Sequence, residues 1–104
     1  MKDFILVYIT CPTRKSAEEL AQSLLDKRLI ACANIIPGLV SFYYWQGNIE
    51  SDNEVLMLLK TRAELFDSLC SVVTQEHPYD VPEIIATPIV KGSAEYLDWI
   101  RKET

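Results

Sequence analysis

The sequence is poor in the residues that most catalytic and binding motifs require. It has 3 glycines and 1 histidine among 104 residues. It contains neither G-x-x-x-x-G-K-[ST] nor G-x-G-x-x-G, which excludes the common phosphate-cradling loops, and it has no G-x-S-x-G nucleophile elbow. The 3 cysteines, Cys11, Cys32 and Cys70, form no C-x-x-C pair. A closed four-ligand zinc site is therefore not expected.

Basic clusters and long apolar runs are also missing. The formal charge is −5, and no run of Lys and Arg is long enough to follow a phosphate backbone, which argues against a nucleic-acid partner. No apolar run approaches the roughly 20 residues that a membrane helix needs. The chain begins with strand-like sequence and no cleavable signal. Because the odd cysteine count suits reduced thiols, we expect a cytoplasmic protein.

What the sequence does have is a substantial apolar content, arranged in alternating strand and helix patterns. Hydrophobic residues make up 49% of the chain, enough for one domain spanning residues 1–104. The order strand, helix, strand, strand, helix, strand, followed by a terminal helix, predicts an α+β fold of the ferredoxin-like type. The predicted strands are 4–9, 29–45, 49–60 (with a polar break at 51–53) and 84–90.

Several local signals refine this prediction. Ser16 with Glu19 and Thr61 with Glu64 fit capping boxes at the starts of the first two helices. Pro37-Gly38 predicts a kink or bulge in the second strand, and Gln46-Gly47-Asn48 predicts the hairpin turn. Pro88 places the last strand at a sheet edge or at a bulge.

The second and third strands are longer than a small sheet can pair, so their hairpin must project as an arm. The arm carries four consecutive aromatic residues, Phe42 to Trp45. Because neighbouring residues in a strand point to opposite faces, both faces of the arm are aromatic. Such a surface favours packing on another subunit, although the arm could instead fold over its own core.

The segment His77-Pro78-Tyr79-Asp80-Val81-Pro82-Glu83 is the best candidate site. Its prolines stiffen the backbone, and it presents the single imidazole beside two carboxylates. Imidazole with carboxylate suits zinc, copper or nickel, and an added thiolate favours copper or zinc. Cys11, at the end of the first strand, is the candidate thiol, but the sequence does not say whether it reaches His77. The segment could equally be a rigid brace.

Other candidates carry less weight. Cys32 and Cys70 are interpreted as buried packing residues, and Glu50, Asp52 and Glu54 as a solubilising face. No nucleophile, base and oxyanion donor can be assembled, so the chain is not expected to be an enzyme.

Long, ordered motifs resemble the CutA divalent-cation-tolerance proteins. The matching segments are Ala31–Gly38, Ser41–Gly47, Glu54-Val55, Lys60-Thr61, His77–Tyr79, Pro82-Glu83, Tyr96-Leu97 and Trp99-Ile100. The resemblance implies a homotrimer of ferredoxin-like subunits, similar in architecture to the PII signalling proteins, with a role in tolerance of copper and other divalent cations. It makes His77 and Glu83 the best metal ligands. The family's proposed thiol ligand falls at Ile9 here, with Cys11 two residues, or about 7 Å, further on.

Two functions are therefore open. In the first, a trimer binds a divalent metal, such as copper, weakly through His77, Glu83 and Cys11, at a cleft between subunits. In the second, a PII-like trimer is a signalling or scaffold module that binds a protein partner or small ligand and has no direct metal role.

Overall fold

The computed structural model describes residues 3–104, which form four strands and three helices. The strands make one antiparallel sheet in the order β2-β3-β1-β4. This is the ferredoxin-like arrangement, so the predicted α+β fold is confirmed. In chain order the elements are β1 (Phe4–Cys11), α1 (Arg14–Asp26), β2 (Cys32–Trp45), β3 (Asn48–Arg62), a 3-10 turn (Ala63–Leu65), α2 (Phe66–Glu76), β4 (Ile84–Pro88) and α3 (Ala94–Glu103).

The main core lies between one face of the sheet and helices α1 and α2. Alternate residues of β1, namely Val7, Ile9 and Cys11, are fully buried there, as expected for a strand that alternates between two faces. Their neighbours in the core come from β3, α1 and α2: Val55, Met57, Leu59, Ala17, Leu20, Ala21, Leu24, Leu69 and Val73. The helix side of β1 is therefore closed to solvent.

Both predicted capping boxes are wrong. Helix α1 begins at Arg14, and its cap is Thr13, whose hydroxyl accepts a hydrogen bond from the Ser16 amide. Ser16 therefore occupies the third helical position and returns a bond to the Thr13 amide. Thr61 does not cap α2 either, because it is fully buried in β3 and donates to the Leu29 carbonyl at 2.7 Å.

The β2–β3 hairpin is continuous and long, at 14 and 15 residues. The polar break predicted at 51–53 is absent, since Ser51, Asp52 and Asn53 pair with residues 40–42 of β2. A two-residue turn closes the hairpin, with Gln46 and Gly47 both at positive φ, as type I′ turns require. The molecule reaches 45 Å in its longest dimension against 26 and 23 Å in the others.

A bulge interrupts the hairpin at Pro37-Gly38, as predicted. Ile36 pairs with Leu56 and Leu39 pairs with Glu54, so two residues of β2 oppose Val55 alone. Gly38 has φ +85, a conformation that favours glycine. Because one extra residue exchanges the two faces of a strand, the bulge decides which way every later side chain of β2 points.

Beyond the bulge, the hairpin arm (residues 39–54) has two different faces. The strand pairing puts Val40, Phe42, Tyr44 and Ile49 on one face, which we call the apolar arm face. Phe42 and Tyr44 are 73% and 77% exposed there. The opposite face, here the acidic arm face, carries Ser41, Tyr43, Trp45, Glu50, Asp52 and Glu54. Both faces are aromatic, as predicted, but only one is also acidic.

The remaining elements close the ends of the sheet. Strand β4 pairs with β1 and ends at Pro88, which confirms its predicted edge position although the strand is shorter than expected. Helix α3 is capped by Ser93 and buries Ile100 against Phe4 and Ala31. Within residues 3–104, no helix combines the length and apolar character needed to cross a membrane.

Candidate functional site

His77 lies at the C-terminal cap of α2, where the helix gives way to extended backbone at φ −72 and ψ 142. Its side chain turns inward and is 7% exposed. Nε2 lies 2.7 Å from the Thr10 carbonyl oxygen, and Nδ1 accepts the Tyr79 amide at 3.0 Å. A carbonyl can only accept and an amide can only donate. The ring is therefore neutral, with its proton on Nε2, and neither nitrogen offers a free lone pair.

Cys11 does approach His77, with its Sγ 3.6 Å from Nε2. The thiol is fully buried and directs its proton to the Met57 sulfur, also at 3.6 Å. Burial raises the pKa of the Cys11 thiol from 9.0 to about 11, because desolvation disfavours the thiolate. Since the thiolate is the form that binds metals, Cys11 as placed here is a packing residue.

Glu83 does not join this pair. It is exposed, and it lines a surface groove together with Asp80 of the same segment. Within residues 3–104, no group of three or more His, Cys, Asp or Glu side chains is arranged to hold a metal ion. The structure thus brings Cys11 and His77 together and leaves Glu83 apart. A metal role for His77, Glu83 and Cys11 stays a prediction.

The groove lies between the acidic arm face and the His77 segment. Its volume is about 740 Å³, within the range of small-ligand pockets. Four carboxylates and four aromatic rings line it, with no Lys or Arg among the lining residues. These are Thr10, Ser41, Phe42, Tyr43, Trp45, Asp52, Glu54, Pro78, Tyr79, Asp80, Val81 and Glu83.

Glu54 is the residue that the sequence interpretation missed. It is 8% exposed rather than part of a solubilising face, and it accepts the Tyr79 hydroxyl at 2.7 Å. Tyr43 likewise donates its hydroxyl to Asp52. That bond raises the pKa of Tyr43 to about 12, and burial followed by the Glu54 bond raises the pKa of Tyr79. Both phenols therefore stay protonated donors at neutral pH.

Thr10 completes the inner end of the groove. It neighbours Cys11 in β1 but points to the other face of the sheet, where it is 8% exposed. Its carbonyl oxygen contacts His77. Cys32 and Cys70 lie outside the groove and are half-buried rather than buried as predicted.

Comparison with known proteins assigns this chain to a protein family. The family model described as CutA1 divalent ion tolerance protein matches residues 5–103. The chain belongs to this family, which confirms the resemblance found in its motifs. The family description names tolerance of divalent ions and no enzymatic reaction.

Individual relatives agree over nearly the whole chain. The divalent-cation tolerance protein CutA of Thermus thermophilus is 48% identical over 95% of this chain and 96% of its own length. The chloroplastic protein CutA of Arabidopsis thaliana is 46% identical over 96% of this chain and 55% of its own. The chain thus spans about half the length of the plant relative. The crystal structure of CutA1 from Oryza sativa matches with a TM-score of 0.96 and 43% identity, covering 98% of this chain and 94% of the other.

Proposed function

We propose that this chain is a homotrimeric CutA protein that acts in tolerance of divalent cations and binds them weakly in the groove beside His77. The observation that carries the binding proposal is the groove itself, which has four carboxylates and no Lys or Arg in its lining. Such a surface concentrates cations near it. The cytoplasm remains the location that we predict for the protein.

The proposed ligands follow from which donor atoms are free to bind an ion. Both nitrogens of His77 are engaged, and the Cys11 thiol is buried and protonated. Glu83 and Asp80 are exposed. Carboxylates bind divalent cations without rearrangement, whereas copper, which favours imidazole and thiolate, requires His77 to leave the Thr10 carbonyl. Weak binding through Glu83 is the result.

The apolar arm face supports the oligomer. Val40, Phe42, Tyr44 and Ile49 are all more than half exposed, although they lie on one contiguous face of the arm. An apolar patch of this kind marks a protein contact, and an isolated two-stranded arm is marginally stable in water. The number of subunits, three, is what the resemblance to the CutA family implies.

Calorimetric titration of the reduced, metal-free protein with Zn²⁺ and Cu²⁺ tests the metal proposal. We expect a saturable, weak site in the wild type that Glu83→Gln weakens by about tenfold. The matched control is Glu19→Gln, which removes the same charge from α1, outside the groove. The proposal fails if the wild type shows no saturable site, or if the two variants bind equally. His77→Ala, titrated alongside, measures whether copper recruits the imidazole.

Sedimentation analysis tests the oligomer separately. Phe42→Asp places a charge on the apolar arm face and should convert the trimer to smaller species, because an unpaired charge cannot be buried in the contact without a large cost. Glu50→Gln, on the acidic arm face, is the control. A monomeric wild type would remove this part of the proposal.

A second function is favoured because His77 and Cys11 are both buried. Because the two residues with the strongest affinity for transition metals are satisfied within the fold, the trimer could be a signalling or scaffold module that binds a small ligand or a protein partner. Metal tolerance would then be indirect. Normal ligand binding by a protein with no saturable metal site would favour this function.

A further inference from the structure

The carboxylates of the groove are spread out rather than converged. Asp52, Glu54, Asp80 and Glu83 all line it, but no three such groups within residues 3–104 form a set that could enclose an ion. A single metal ion cannot satisfy charges that lie apart. A ligand that carries several positive charges along an extended body can.

Thr10 provides an independent sign of a ligand. The residue is 8% exposed and lines the groove, yet its hydroxyl makes no hydrogen bond to any other residue between 3 and 104. Among those residues, no fully buried side-chain oxygen or nitrogen lacks a hydrogen-bond partner. The Thr10 hydroxyl oxygen is therefore not fully buried, and it is exposed to the groove. A hydroxyl is a good acceptor for an ammonium N–H.

The strand register fixes the position of Thr10 relative to Glu54. Thr10 pairs with Leu56, and Glu54 lies two residues along β3 on the same face. Such diagonal neighbours are about 7–8 Å apart, which leaves room for one ammonium group between their oxygens. Tyr79 occupies one carboxylate oxygen of Glu54 at 2.7 Å, and the other oxygen takes part in no hydrogen bond within residues 3–104.

The walls of the groove suit the chain that would join several ammonium groups. Tyr43, Trp45 and Tyr79 line it, and aromatic faces attract ammonium groups and pack against methylene carbons. Tyr43 and Tyr79 are held in place by Asp52 and Glu54. The rings are therefore positioned before a ligand arrives.

We propose that the groove binds a linear polyammonium compound, with one ammonium group between the Thr10 hydroxyl and Glu54 and another near Asp80 and Glu83. This inference rests on the second proposed function, in which the trimer binds a small ligand. It does not require metal binding.

Calorimetric titration of the metal-free protein tests this proposal. The ligands are spermidine, the diamine putrescine and the monoamine butylamine. Affinity should fall in that order. Thr10→Val keeps the shape of the side chain and removes the hydroxyl, and Glu54→Gln keeps the acceptor for Tyr79 and removes the charge. Each should weaken spermidine binding by about tenfold. Glu19→Gln on α1 is the control of equal charge change.

The outcomes separate this inference from the metal proposal. Saturable spermidine binding that weakens in Thr10→Val and Glu54→Gln but not in Glu19→Gln supports it, whatever the response to Zn²⁺. Equal weakening in all three variants would mean unspecific charge attraction and would overturn it, as would spermidine binding no tighter than butylamine. If Thr10→Val does not fold, as judged by circular dichroism, Glu54→Gln decides the result.

Discussion

Thr10 and Cys11 are consecutive residues of β1, and they lie in opposite chemical settings. Cys11 faces the helices, with a buried protonated thiol against Met57 and His77. Thr10 faces the groove, beside an acidic and aromatic wall. The side of the strand that holds the thiol and the imidazole is closed, and the side that holds the carboxylates is open. Residue type alone therefore points to both faces of the sheet, to the buried Cys11 and His77 on one and to the exposed Glu83 on the other.

The largest effect is expected from deleting Gly38. The deletion removes the bulge in β2 but leaves the buried contacts of Cys11 and His77 unchanged. The later residues of β2 would exchange faces, so Phe42 would leave the apolar arm face and Tyr43 would leave the groove. We expect loss of the proposed trimer in sedimentation, with secondary structure retained in circular dichroism. Gly38→Ala is the control of unchanged length and should cost about 1–2 kcal/mol, because φ is +85. A deletion variant that still forms trimers would refute the role given to the bulge.

His77→Ala instead disrupts the buried, helix-facing side of β1, where His77 contacts Cys11. The substitution removes two buried hydrogen bonds and leaves a cavity beside Cys11. We expect a loss of about 2–4 kcal/mol in the free energy of unfolding, measured in urea at fixed protein concentration. His77→Gln, which can keep one of the bonds, should lose less. Equal stability of the alanine variant and the wild type would show that His77 does not brace the fold.

Alkaline pH should lower the free energy of unfolding because the Cys11 thiol is buried. The pKa of Cys11 is raised to about 11 in the folded protein from 9.0, so the unfolded chain ionises first. The stability that this thiol contributes is complete below pH 9 and is lost as pH rises through 11. Urea unfolding at pH 8 and pH 10 should show a decline in the wild type that is smaller in Cys11→Ala. Parallel declines would contradict the burial of the thiol.

The smallest effect is expected for Cys11→Ala on metal binding. Because the thiol is protonated and enclosed, its removal should leave the calorimetric affinity for Zn²⁺ and Cu²⁺ unchanged, in contrast to Glu83→Gln. A marked loss of copper affinity would mean that the Cys11–His77 pair opens to bind the ion.

Much of the fold was predictable because its signals are local. The order of elements, the bulge at Pro37-Gly38 and the edge strand at Pro88 each depend on residues close in sequence. The capping box predicted at Ser16 and Glu19 failed because the helix begins one turn earlier, where Thr13 exchanges bonds with Ser16, a residue type that the sequence motif does not include at its last position. Only the packed structure shows that Thr61 is needed inside the sheet.

The candidate site was only partly predictable, because its geometry is not local. His77 and Cys11 lie 66 residues apart in sequence, and no motif reports their contact. Glu54 looked like one member of an acidic strand. Its burial depends on Tyr79 and on the change of face that the bulge imposes on β2. In the observed register Glu54 pairs with Leu39, and its aromatic partner Tyr79 lies 25 residues further along the chain, so no strand-pairing signal in the sequence reports its burial.

The two tryptophans lie in parts of the molecule that respond to different events. Trp45 lies near the tip of the exposed arm, whereas Trp99 belongs to α3, with its ring 5.4 Å from that of Tyr96. Emission from Trp45 should therefore follow changes at the arm, and emission from Trp99 should follow the docking of α3. Single Trp→Phe variants would turn intrinsic fluorescence into separate readouts for assembly and for folding, with no added label.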